Sequence, residues 1–206
     1  MEMRTSESKR IFVAVTGASG SIYADRLIQC LRGKVDRIYL CATAAGQKVA
    51  EHELVSSSAL RALLNGDING SDRDLFRVFK NDDLFAPIAS GSSAPTHMIV
   101  VPCSMGTLAR VAHGMSSNLV ERAADVCLKQ KAPLIVVPRE TPLNTIHIRN
   151  MLTLAEMGAH IIPPVPAFYQ KPKTIDDLVD FIVGRLLEAI GITDHDLYDP
   201  WNKRMR

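Results

Sequence analysis

Apolar positions in this chain fall into short unbroken runs, separated by longer stretches with helical spacing. Ile11-Phe12-Val13-Ala14-Val15, Met98-Ile99-Val100-Val101-Pro102 and Pro133-Leu134-Ile135-Val136-Val137-Pro138 show no polar alternation. They read as strands covered on both faces. Arg37 to Ala42, Val78 to Lys80 and Ala159 to Ile162 are shorter strand candidates. Helical patterns occupy Tyr23 to Leu31, Thr43 to Leu54, Ala59 to Leu64, Leu108 to His113, Asn118 to Lys131, Thr145 to Met157 and Ile175 to Ile190. In Asn118 to Lys131, Leu119, Ala123, Val126 and Cys127 share one face, with Glu121, Arg122, Asp125 and Lys129 mostly elsewhere. Strands alternating with helices predict a single α/β domain, a doubly wound parallel sheet wrapped on both faces.

Polar punctuation marks the connections. Ser56-Ser57-Ser58 breaks two helices, residues 65–72 form a turn-rich loop, and residues 89–95 a loop of small residues. Residues 163–169 carry three prolines and predict a stiff polyproline-like connector. Residues 1–10 are polar and read as a flexible arm, residues 11–192 as the domain, and residues 193–206 as a tail holding the only tryptophan, Trp201.

Composition narrows the class. With 206 residues, 47% hydrophobic, 22% charged and a net charge of +2, the chain can bury a substantial core and offers no charge field to recruit nucleic acid or an anionic membrane. No apolar run reaches the ~18 residues of a membrane span, and the start lacks a signal-peptide apolar region. Cys30, Cys41, Cys103 and Cys127 are widely spaced without a CxxC, which suits structural, reduced thiols in the cytoplasm and no metal site.

The candidate chemistry lies where strands end. Gly17-Ala18-Ser19-Gly20 follows the first strand, and Ser19 or Ser21 could cap the next helix, whose N-terminus favours phosphate. The spacing is not the dinucleotide GxGxxG, so a bare glycine turn is the alternative. Ser104-Met105-Gly106-Thr107 forms a second small-residue turn, and Arg139-Glu140 stands between Pro138 and Pro142 after a third strand. Ligands of open α/β sheets bind at such carboxyl ends. Two donor-rich turns and an arginine suit a phosphorylated planar cofactor.

These segments, together with Arg122-Ala123-Ala124-Asp125-Val126, residues 138–143 and residues 163–169, resemble the flavin prenyltransferase family of UbiX/Pad type over about Ile11 to Ile192. The resemblance implies a flavodoxin- or Rossmann-like homo-oligomer, commonly a dodecamer, with FMN at subunit interfaces. It implies transfer of a dimethylallyl group from dimethylallyl monophosphate to N5 and C6 of reduced FMN, without metal. The prenylated FMN then serves a UbiD-type decarboxylase. By the same resemblance Gly17, Ala18, Ser19, Ser104, Met105, Gly106, Thr107 and Arg139 would hold FMN. Lys129, Tyr169 and Arg185 would hold the prenyl phosphate, and Ser19, Arg122, Lys129 and Glu140 would serve catalysis.

Two positions depart from the family pattern. Ala42-Thr43 stands where many members place a flavin-touching Ser, so that contact is lost or passes to Thr43. His52-Glu53, preceded by Glu51, stands where many have Glu-Thr; a one-residue slip would let either glutamate serve. Two other readings remain. One is an oxidative flavin decarboxylase, disfavoured because no histidine lies near Tyr23; the other is a non-catalytic FMN carrier, kept open by Ala42 and His52.

Overall fold

The computed structural model describes residues 8–70 and 72–199; Trp201 and residues 1–7 lie outside them. Among the described residues six strands and eight α-helices follow one another. They are β1 (Arg10–Val15), α1 (Ser21–Leu31), β2 (Arg37–Ala42), α2 (Ala44–Glu53), α3 (Ala59–Leu64), α4 (Asp72–Leu75) and β3 (Phe76–Phe79). β4 (His97–Cys103), α5 (Met105–Ala112), α6 (Leu119–Gln130), β5 (Leu134–Pro138), α7 (Thr145–Glu156), β6 (His160–Ile161) and α8 (Ile175–Ala189) complete the order. The strands pair only in parallel, in the order β3-β2-β1-β4-β5-β6. Strand order reverses between β1 and β4, which makes that gap the switch point.

Apolar runs without alternation reflect two cores. Ile11, Val13 and Val15 of β1 face a core with α1, α3 and α8, whereas Phe12 and Ala14 face a second core with α5 and α6. Ile11 to Val15 of β1, Met98 to Cys103 of β4 and all of β5 are therefore buried, and an unpartnered polar residue on either face there would be stranded.

Several boundaries shift for identifiable reasons. Residues 105–107 are the first turn of α5 rather than a loop before it, because the Ser104 hydroxyl accepts from the Thr107 N–H and caps the helix three residues earlier than expected. Asp72–Leu75 forms a short helix at the end of the predicted loop, and β3 begins two residues before Val78. The sheet takes up Arg10, and Lys9 bonds Asp36 and the carbonyls of Ile190 and Gly191, so the arm's last residues are tied down. Glu121, placed on the polar side of its helix by periodicity, is fully buried. Its carboxylate is held by Arg110 Nε and the Ser117 N–H.

Candidate active site

Backbone hydrogen bonds stitch the three predicted segments into one edge. Thr43 N–H donates to Val15 O (2.9 Å), joining the ends of β2 and β1. Thr16, fully buried, donates from its hydroxyl to Pro102 O (2.9 Å) and accepts from the Ser104 N–H (2.8 Å), joining β1 to β4 across the switch point. Arg139 N–H donates to Cys103 O (3.1 Å), joining β4 to β5. Gly17 to Ser19, Ser104 to Thr107 and Arg139 therefore lie side by side along the carboxyl edge. Thr16 carries no sequence signal of this role, because one threonine closing an apolar strand belongs to no motif.

Close packing explains the glycines here. A Cβ on Gly17 would stand 2.6 Å from Ala45 Cβ, and one on Gly46 would stand 2.5 Å from Val15 O. The start of α2 thus lies directly against the end of β1. Thr43 spends its hydroxyl on the Gly46 N–H at the start of α2. That bond uses one acceptor lone pair of the hydroxyl, so both fates of the usual Ser contact stay open. Gly20 takes a left-handed conformation (φ 114°).

The start of α1 is where the structure corrects the phosphate-site expectation. Neither Ser19 nor Ser21 caps α1. Instead Glu53, the last residue of α2, accepts from Gly20 N–H (2.9 Å) and Ser21 N–H (2.8 Å). The positive end of α1 already holds a carboxylate of the chain itself. Burial pushes Glu53 upward, but hydrogen bonds from Ser19, Gly20 and Ser21 outweigh it and hold its pKa below the ordinary value. Between the two candidate glutamates, Glu53 is the one that reaches Ser19; Glu51 accepts from the Gln47 side chain instead. The available signal was electrostatic, since a glutamate closing a helix opposes the macrodipole unless it is used elsewhere.

Arg139 supplies a test of fit for a phosphorylated ring ligand. Its Nε is buried and has no partner among the described residues. Ser104 and Thr107, with hydroxyls 3.1 Å apart, open α5 beside it. Arg110 Nη2 reaches Thr107 Oγ1 at 3.5 Å, held from behind by buried Glu121. Hydroxyls, a helix N-terminus and an uncommitted guanidinium edge form a donor-rich cradle that fits FMN. Glu140 follows directly, exposed, accepting from the Thr141 N–H (3.0 Å).

The remaining predicted residues are dispersed. Arg122 lies on α6, donating from Nε to Ala89 O (3.1 Å) and pairing with Asp125. Lys129 is exposed in the last turn of α6, which leads into the start of β5. It therefore stands at the opposite edge of the sheet from Arg139, about 16 Å away along a five-residue strand. Tyr169 and Arg185 belong to the other layer. Phe181 of α8 meets the Tyr169 ring edge-on at 6.1 Å, and Arg185 pairs with Glu188. One chain does not gather Lys129 with Tyr169 and Arg185.

Among the described residues no group of three or more His, Cys, Asp or Glu could hold a metal, and no helix is long and apolar enough to cross a membrane. The model of the flavoprotein family matches residues 1–187. The flavin prenyltransferase UbiX of Halalkalibacterium halodurans is 47% identical over 191 residues, covering 93% of this chain and 92% of that protein. The crystal structure of AnUbiX (PadA1) in complex with FMN and dimethylallyl pyrophosphate superposes with a TM-score of 0.85 at 37% identity, covering 95% and 98% of the two chains. A dodecameric FMN-dependent UbiX-like decarboxylase from Escherichia coli O157:H7 follows with 0.83 at 38% identity over 93% and 98%. With the switch-point cradle and these likenesses over nearly its whole length, the chain belongs to the flavoprotein family, in its UbiX flavin prenyltransferase branch.

Proposed function

We propose that this protein transfers a dimethylallyl group from dimethylallyl monophosphate to N5 and C6 of reduced FMN and delivers prenylated FMN to a UbiD-type decarboxylase. One observation carries the reading. Gly17 to Ser19, Ser104 to Thr107 and Arg139 are hydrogen-bonded into one cradle with an unpaired Arg139 Nε, in a chain similar throughout to flavin prenyltransferases. Gly17, Ala18, Ser19, Ser104, Met105, Gly106, Thr107 and Arg139 hold the flavin. Reduced FMN, when bound, supplies the electron-rich ring that accepts the allyl group.

The chain's own groups handle charge and protons. When the allylic C–O bond breaks, its electron pair leaves with the phosphate, and Lys129, Arg185 and the Tyr169 hydroxyl receive that charge. Ser19, anchored by Glu53, serves the flavin's reactive edge, with Glu140 to take a proton and Arg122 among the catalytic surroundings. Because α6 and α8 present these groups on different layers, the site is completed by another copy of the chain. A homo-oligomer, a dodecamer like its E. coli neighbour, supplies that copy. Exposed Ile146, Ile148 and Leu152 on α7 support such an assembly. Four free cysteines support a cytoplasmic setting.

The direct test is mass spectrometry of the flavin after incubation with reduced FMN and dimethylallyl monophosphate or diphosphate. A flavin heavier by one five-carbon unit is expected. Bound but unmodified flavin with both donors would refute transfer and leave an FMN carrier.

A further inference from the structure

Residues 193–199, read from sequence as a trailing tail, fold back onto α8 and close around Arg185. Tyr198 donates its hydroxyl to Glu188 Oε1, while Arg185 Nη1 donates to Glu188 Oε2. Tyr198 also hydrogen-bonds Arg185, and that contact, with the Glu188 charge, raises the arginine's pKa. One carboxylate thus holds both a cation from its own helix and a phenol from the returning chain. His195 packs beside them, its Nε2 3.7 Å from Glu188 Oε1 and its side chain 6% exposed.

The backbone is shaped for this contact. A Cβ on Gly184 would stand 2.5 Å from Tyr198 Cε1 and 3.0 Å from His195 Cε1, so only glycine lets both rings lie on α8. Lys34 Nζ holds Asp194 O (2.7 Å) and Gln170 Nε2 holds Asp199 O (3.1 Å), fixing the segment at both ends. Rings run continuously from His195 to Tyr198 (5.4 Å), Tyr198 to Phe181 (5.1 Å) and Phe181 to Tyr169 (6.1 Å). The segment therefore touches Arg185 through hydrogen bonds and connects to Tyr169 through the intervening Phe181 ring. An isolated i,i+3 surface pair would need none of this.

We propose that Glu188 and Tyr198 are positioning residues that hold the Arg185 guanidinium for the phosphate of the prenyl donor. This rests on the reading that Arg185 binds that phosphate. A guanidinium has five N–H donors in a planar fork. Anchoring Nη1 on Glu188 orients the fork, and the Arg185 side chain, 55% exposed, keeps its other edge open for an anion. Preorganising the fork removes an ordering cost from donor binding.

The test measures donor KM, kcat, FMN affinity and thermal midpoint in the full-length protein, with dimethylallyl monophosphate and reduced FMN. Glu188→Gln is expected to raise donor KM about tenfold, the loss of one charge-assisted hydrogen bond, with kcat and FMN affinity within about twofold. Tyr198→Phe raises KM less, and Glu188→Asp restores part of the loss. Arg185→Ala raises KM, and adding Glu188→Gln to it changes KM no further, since Glu188 acts through Arg185. Unchanged KM in Glu188→Gln and Tyr198→Phe, beside a raised KM in Arg185→Ala, overturns the proposal alone. Unchanged KM in Arg185→Ala overturns the phosphate reading and the proposal with it. If Glu188→Gln lowers the thermal midpoint enough to obscure KM, Tyr198→Phe decides.

Discussion

At the scale of single residues, the decisive groups are those whose partners lie far away in sequence. Glu53 reaches 32 residues back to Ser21 and holds the start of α1. Its folded pKa lies below the ordinary 4.5, so its stabilising contribution is present above about pH 4.5 and is lost as pH falls through the folded value. The gap in thermal midpoint between the parent and Glu53→Gln should therefore narrow from pH 6 to pH 3; a gap independent of pH would disprove the charge role. Cysteines give a second expectation. Burial pushes the thiols of Cys41, Cys103 and Cys127 up to about 12, leaving almost no thiolate near neutrality. Iodoacetamide at pH 8 should label at most Cys30 in the native protein and all four in denaturant, counted by mass.

Between elements, the site depends on how closely strand ends approach helix starts. Thr16 bridges β1 to β4 through two hydrogen bonds made by one buried hydroxyl. Thr16→Val leaves the Ser104 N–H and Pro102 O without that oxygen, at a cost of about 1–3 kcal/mol, and FMN affinity should fall with it. Gly46→Ala drives a methyl into the Val15 carbonyl and should cost about 1–3 kcal/mol through displacement of α2. Either change predicts a drop of about 2–4 °C in thermal midpoint per kcal/mol lost, readable by calorimetry. The strand–turn–helix order was legible because apolar runs and glycines sit in local sequence. The cap at Ser104 and the role of Thr16 were not, because each is fixed by a partner on another element.

For the molecule as a whole, the groups proposed to act on the prenyl phosphate and the flavin are divided between layers. α6 carries Arg122 and Lys129 on one side of the sheet, and α8 carries Arg185 on the other. The exposed apolar side chains of α7 are the surface proposed for the contact that would reunite them. Ile148→Asp together with Leu152→Asp is expected to shift the protein to smaller species on size exclusion and to abolish prenyl transfer. Retention of both size and activity would remove α7 from the assembly interface.

Sequence alone determined the layered α/β architecture, since strands buried on both faces must be apolar throughout and helices must show one apolar side. It also marked Gly17 to Ser19, Ser104 to Thr107 and Arg139 as the chemical edge, because turn and donor residues cluster visibly after strands. Only the tertiary structure decided that Glu53 occupies the α1 N-terminus. It alone buried Glu121 beneath the cradle and folded residues 193–199 onto Arg185. Those outcomes rest on single long-range hydrogen bonds and close packing, and neither leaves a periodic trace in the chain.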